Sequence, residues 1–136
     1  KGAKIGIREV KVGLFAAAGG VFRLPAWVGY SKAMEMALTG EPITAEEAMD
    51  AGMLSALTEP EDVLTAAVEL AERIAENAPL AVAASKALVR AAASGVEEDQ
   101  LWEMQIPLQK KVFSSNDAKE GPVAFAEKRA PNWTGS

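Results

Sequence analysis

Hydrophobic positions along this chain alternate near the start, mix helical and extended spacings through the middle, and repeat with a helical period over the rest. Ile5 and Ile7 alternate with Gly6 and Arg8, and Val10, Val12 and Leu14 alternate with Lys11 and Gly13. That two-residue period predicts one or two short strands over 4–15. Residues 16–20 are a loop of minimal side chains ending in Gly19-Gly20. Residues 22–28 begin a helix that Pro25 limits to a short turn. A helix over 30–38 follows, with Ser31 near its start and Thr39-Gly40 ending it. Pro42-Ile43 reads as a brief extended piece. Thr44 followed three residues later by Glu47 matches a capping box and predicts a helix running to Gly52. Residues 53–57 read as a strand.

Beyond that point the period is helical. Pro60 suits the first position of a long helix. Val63, Ala67, Leu70 and Ile74 fall on one of its faces. Asn77-Ala78-Pro79 breaks it. The pattern then predicts a helix over 80–93 ended by Gly95, and a second over 97–114 kinked at Pro107. A last helix, to about Arg129, opens at a box-like cap formed by Asp117 and Glu120. A strand-rich start thus precedes a long helical tail. Such a start has too few strands to make a stable sheet alone. The expectation is a chain that lacks part of its sheet.

Composition narrows the chemistry. The 136 residues are 49% hydrophobic, and the net charge is −5 with basic residues scattered. There is no basic patch of the kind nucleic acid requires, so no nucleic-acid partner is expected. No apolar run approaches the roughly eighteen residues that span a bilayer, and no membrane partner is expected. The chain has no cysteine and no histidine. Thiolate nucleophiles, imidazole bases and common zinc sites are therefore outside its repertoire, and no metal site is expected. The cytoplasm is the default compartment.

Carboxylates, lysines, hydroxyls and backbone amides remain. Glu9 stands out among them, because it sits on a short apolar segment that runs into the small-residue loop. This layout can aim one acid/base group into a narrow pocket. A plainer reading is also open, in which Glu9 is a solvated strand-end carboxylate paired with Arg8, Lys11 or Lys4.

Several segments, taken in order, carry a resemblance. They are Gly6-Ile7-Arg8-Glu9, Gly13-Leu14, Gly19-Gly20, Arg23-Leu24-Pro25 and Gly29 with Ala33-Met34-Glu35. Leu38 to Gly52 then gives L-T-G-x-x-I-x-A-x-E-A-x-x-x-G, and Glu120 to Arg129 gives E-G-x-x-A-F-x-E-K-R. Together they resemble the C-terminal half of the enoyl-CoA hydratase/isomerase (crotonase) superfamily. The resemblance implies an α/β, crotonase-like fold built on a spiral of ββα units, of which this chain is an incomplete C-terminal portion. Residues 1–58 would be the end of the core, with its active-site loop. Residues 59–136 would be a helical region carrying coenzyme A contacts and trimer contacts.

The resemblance also implies a reaction. Family members work on coenzyme A thioesters through an enolate, with two backbone N–H groups forming an oxyanion hole. Hydratases of the family add two glutamates. Both oxyanion donors and the first glutamate belong to an N-terminal half that this chain does not match. Glu9 takes the place of the second glutamate, as general acid/base at Cα. Ala17 corresponds to a position whose backbone N–H orients the catalytic water. Phe15, Val21 and Phe22 would line the acyl pocket. Phe125 and Lys128 match positions that reach coenzyme A, an aromatic for the nucleotide end and a cation for phosphate.

No permanently bound cofactor is implied, coenzyme A being part of the substrate. The implied partners are an acyl-CoA and further copies of the chain, as a trimer or a dimer of trimers. Hydration of a 2-enoyl-CoA is the first expectation. Isomerisation or other lyase chemistry is an alternative within the family, and a non-catalytic assembly module is an alternative outside it. The chain departs from the family pattern at Arg8, where proline is usual. It departs again at Ala16-Ala17-Ala18 for P-G-A, and at Val21-Phe22 for Thr-Gln.

Overall fold

Lys4 and Ile5 form strand β1, and Ile43 and Thr44 form strand β2. The two run antiparallel, with Lys4 opposite Thr44 and Ile5 opposite Ile43. This two-stranded ribbon is the only sheet. The structure is a computed structural model describing residues 1–136, and the chain divides into two compact units, Lys1–Ala67 and Val68–Ser136.

In the first unit the expected strand over 4–15 stops after Ile5. Residues Glu9–Val12 form a 3-10 turn instead. Gly13 ends it at φ 76°, donating its N–H to the carbonyls of Glu9 and Val10. Alternation is a strand signal only where a neighbouring strand supplies a ladder, and β2 offers two residues. Helices α1 (Gly20–Arg23) and α2 (Pro25–Val28) follow. Where the sequence predicts one segment cut short at Pro25, the proline instead opens a second short helix, its missing N–H costing nothing at the first position. Helix α3 (Tyr30–Thr39) ends at Gly40, whose φ of 65° is the left-handed cap conformation.

Helix α4 (Ala45–Asp50) begins with the predicted capping box. Thr44 Oγ1 accepts from Glu47 N–H at 3.1 Å, and Glu47 Oε2 accepts from Thr44 N–H at 2.8 Å. The expected strand over 53–57 is absent. Met53 N–H is taken by the Ala48 carbonyl at 2.9 Å, which caps α4, and the segment continues as coil with Met53 and Leu54 packed on the core. That core joins Leu24, Val28, Ala33, Met36, Ile43 and Ala48. Met36 is 1% exposed and Ala48 fully buried. Burying one face of α3 against α2, β2 and α4 therefore organises the unit around the ribbon.

Helix α5 (Val63–Ala75) follows a short 3-10 turn at Pro60–Asp62 and crosses the boundary between the units. The second unit contains α6 (Pro79–Ala93), α7 (Glu98–Phe113) and α8 (Asn116–Glu127). Helices α6 and α7 pack together, and α7 runs on through Pro107. The cap of α8 differs from the expectation. Ser115, not Asp117, is the N-cap, its Oγ accepting from Ala118 N–H at 3.1 Å. Asp117 is buried at 3% exposure and turns away from the capping role. Its two oxygens accept from Thr134 N–H (2.7 Å), Thr134 Oγ1 (3.0 Å) and Gly135 N–H (3.0 Å). Trp133 donates its indole N–H to the Glu76 carbonyl at 2.7 Å. The C-terminal tail is thereby fastened within its own unit. No helix of the chain is long and apolar enough to cross a membrane.

Candidate functional site

Glu9 opens its 3-10 turn, and Leu14 N–H returns to the Glu9 carbonyl at 3.0 Å. The turn thus fixes the backbone on both sides of the carboxylate. The side chain faces a small apolar cavity of about 140 Å³, whose walls include Ile7, Phe15, Ala16, Val21 and Leu38. A second, more open cleft of about 450 Å³ is lined by Glu9, Ala17, Ala18, Gly19, Gly20 and Arg23. Glu9 therefore sits where the small-residue loop and the apolar cavity meet.

Glu9 Oε2 is buried and accepts no hydrogen bond. Buried polar atoms almost always find a partner, and those that do not call for a reason. The plainer pairing with a neighbouring cation does not occur. Lys11 instead binds Glu41 at 2.6 Å, and this pair holds the Glu41 carboxyl below its ordinary range. The arrangement leaves one carboxylate oxygen free beside an apolar hole, which suits transfer of a proton to or from a carbon acid.

The loop carries its own geometry. A Cβ added to Gly20 would come within 2.9 Å of Ala16 Cβ, so glycine is what lets α1 start this close to the loop. The Ala17 N–H donates to the Phe15 carbonyl at 2.7 Å, closing a three-residue turn. The amide singled out for water is thus engaged within the loop.

The residues named from the sequence are brought together unevenly. Glu9, Phe15 and Val21 share the apolar cavity, and Glu9 and Ala17 share the open cleft. Phe22 lines neither. It is 71% exposed and lies under the Arg23 guanidinium, 5.2 Å from Cζ to the ring centre. Phe125 and Lys128 are in the second unit, at the end of α8. Phe125 is 86% exposed. Lys128 caps the helix at φ 54°, where no other residue but glycine has a positive φ.

Three features carried no role in the sequence reading. One is Arg23, which reaches back over the loop. Its signal was a cation four residues after a glycine, since helical side chains lean toward the N-terminus. The others are the Asp117 clamp on the tail and the Arg129–Glu120 pair. They join residues 17 and 9 positions apart, with no local period to announce them.

The same architecture recurs in solved structures. An enoyl-CoA hydratase of Mycobacterium tuberculosis superposes with a TM-score of 0.92 and 47% identity, covering 99% of this chain and 53% of that one. An enoyl-CoA hydratase of Mycobacterium marinum gives a TM-score of 0.93 and 48% identity, over 99% of this chain and 55% of that one. The ribbon, loop and helical tail are thus the C-terminal portion of a crotonase-like fold. The chain belongs to the enoyl-CoA hydratase/isomerase family, whose sequence profile matches residues 1–136. A curated enoyl-CoA hydratase of Mycobacterium tuberculosis is 42% identical over 131 residues, which are 96% of this chain and 49% of that protein. A carnitinyl-CoA dehydratase of Salmonella arizonae is 40% identical over 136 residues, 98% of this chain and 52% of that protein. The chain spans about half the length of the curated relatives it matches.

Proposed function

We propose that this chain supplies the second acid/base group of an enoyl-CoA hydratase-like lyase, and that Glu9 is that group. The observation that carries the reading is the buried, unpartnered Glu9 Oε2 at an apolar cavity. In the hydration direction water oxygen bonds to Cβ of a 2-enoyl-CoA while a glutamate outside these residues takes one of its protons, and the thioester becomes an enolate. Protonated Glu9 then gives its proton to Cα as the thioester carbonyl re-forms, and remains as carboxylate. In the dehydration direction the carboxylate removes the Cα proton, and hydroxide leaves Cβ as water by taking a proton from the other glutamate, which lies outside these residues. That relatives are named both hydratase and dehydratase supports one chemistry run in either direction. The oxyanion donors and the glutamate that activates water come from outside these residues, so the full-length protein is the catalyst.

Phe15 and Val21 form the apolar wall of the acyl site in this reading. Phe22 stands at the loop's outer side. Ala17 comes to hold a water only when its N–H turns away from the Phe15 carbonyl. Phe125 and Lys128 are proposed to meet the coenzyme A portion, the ring by stacking and the ammonium by charge. Assembly as a trimer or a dimer of trimers, and a cytoplasmic location, belong to the same proposal. The test is Glu9→Gln in the full-length protein. Turnover of crotonyl-CoA is expected to fall by about two to four orders of magnitude with the fold intact. Turnover near that of the unsubstituted protein rejects the assignment.

A further inference from the structure

Arg23 ends α1 and folds back over the loop that precedes it. Its Nη1 donates to the Ala18 carbonyl at 3.3 Å. A Cβ built on Gly19 would lie 2.5 Å from Nη1 and 2.9 Å from Cζ of Arg23. The guanidinium therefore rests on the bare Cα of Gly19, in space that any side chain would occupy. Gly19 also holds φ at 95°, which side-chain-bearing residues rarely adopt. On the other side the Phe22 ring lies 5.2 Å from the guanidinium carbon, within cation–π range. Arg23 makes no ion pair, so its charge is not committed to a carboxylate. It lines the same open cleft as Glu9 and Ala17.

We propose that Arg23 is a positioning residue for the acid/base step. By holding the Ala18 carbonyl it fixes the peptide planes from Ala16 to Gly19, and with them the cleft wall that faces Glu9. This inference rests on the reading of Glu9 given above. The guanidinium touches no reacting atom in this scheme. It acts through the loop, which a flat, forked cation can hold while lying on glycine. A lysine ammonium, a compact point charge, cannot cover Gly19 and reach the carbonyl in the same way.

The test compares Arg23→Gln, Arg23→Lys and Glu9→Gln in the full-length protein, by amide hydrogen exchange and by steady-state kinetics with crotonyl-CoA. Exchange at residues 17–20 is expected to rise by about tenfold in both Arg23 variants while helix α3 keeps its protection. In those variants kcat falls by about tenfold to a hundredfold and KM stays within about threefold, the mark of lost alignment rather than lost binding. Added guanidinium chloride at low concentration restores part of kcat in Arg23→Gln. Loop exchange and kcat within about twofold of the unsubstituted protein in both Arg23 variants overturn the proposal, whatever Glu9→Gln does. Full turnover by Glu9→Gln overturns the acid/base reading instead, whatever the loop does.

Discussion

Arg129 grips Glu120 with both ends of its fork, Nη1 lying 2.5 Å from Oε1 and Nη2 3.0 Å from Oε2. Glu120 Oε1 also accepts from Asn132 N–H at 2.8 Å, so the pair holds the start of the C-terminal tail as well as the end of α8. Four residues' worth of tail beyond Asn132 is held by the Asp117 carboxylate and by the Trp133 indole. Both acids that do this work must be ionised to accept all their hydrogen bonds.

Acid should therefore loosen the tail. The Arg129 hydrogen bonds and the Asn132 amide bring the Glu120 carboxyl down from 4.5 to about 2. The backbone N–H of Thr134, then that of Gly135 and the Thr134 hydroxyl, lower Asp117 from its ordinary value too. Folded-state values below unfolded ones mean stability that is complete above the unfolded pKa. It is lost as pH falls from about 4.5 toward about 2. Thermal unfolding midpoints measured between those limits are expected to decline, and Glu120→Gln with Asp117→Asn to flatten the decline. An equally steep decline in the double variant would contradict this.

The core of the first unit should be sensitive at one side chain above others. Met36 is 1% exposed and packs on α3's inner face among Leu24, Val28, Ile43 and Ala48. Met36→Ala removes that volume from a small core and is expected to cost about 2–5 kcal/mol of unfolding free energy. Urea denaturation of the full-length protein measures it. A loss below about 0.5 kcal/mol would mean that the site collapses around the gap.

The cavity beside Glu9 makes a distinction that the sequence could not. Phe15 and Phe22 read alike as pocket residues, yet Phe15 lines the Glu9 cavity and Phe22 lies outside it under Arg23. Phe15→Ala is expected to shift the ratio of kcat/KM between short and long enoyl-CoA thioesters by about tenfold, the scale of a few apolar contacts in such a pocket. Phe22→Ala should leave that ratio within about twofold while absolute rates change. A chain-length panel on the two variants decides it, and a larger shift from Phe22 would place that ring in the acyl site.

The helices were legible because their signals are local. The Thr44–Glu47 box, Pro79 and Gly40 each mark an end within a few residues and the structure keeps them, while Pro60 opens a 3-10 turn ahead of α5 and Pro25 starts a helix of its own. The strands were not, since a strand is defined by its partner. Val10 and Val12 alternate correctly yet have no neighbouring backbone, so Gly13 draws them into a turn. Met53 fares similarly, its amide going to α4. In the candidate site Glu9 was singled out from its residue type and surroundings, and its acid/base role came from the family resemblance. Arg23 was missed because its role depends on the absence of a side chain at Gly19. Asp117 was misread because a box-like spacing placed a cap two residues beyond the serine that forms it.

Lys128 allows stability and binding to be separated in a single position. Its φ of 54° and ψ of 38° place it in the left-handed region as the C-terminal cap of α8, where glycine is the favoured residue. A side chain there costs about 1 kcal/mol. The chain thus keeps a strained cation where a glycine would serve the helix better, next to a phenylalanine left almost fully exposed. If the cation is held for a phosphate of coenzyme A, Lys128→Gly should raise stability by about 0.5–1 kcal/mol while weakening binding. KM for crotonyl-CoA is expected to rise by about threefold to tenfold with kcat little changed, the effect of losing one charge-assisted contact made equally in ground and transition states. Lys128→Asn, which also tolerates the left-handed conformation, should lose the binding with less gain in stability. A Lys128→Gly protein that is more stable and binds acyl-CoA unchanged would show that the lysine is solvated there and that the coenzyme A contact lies elsewhere.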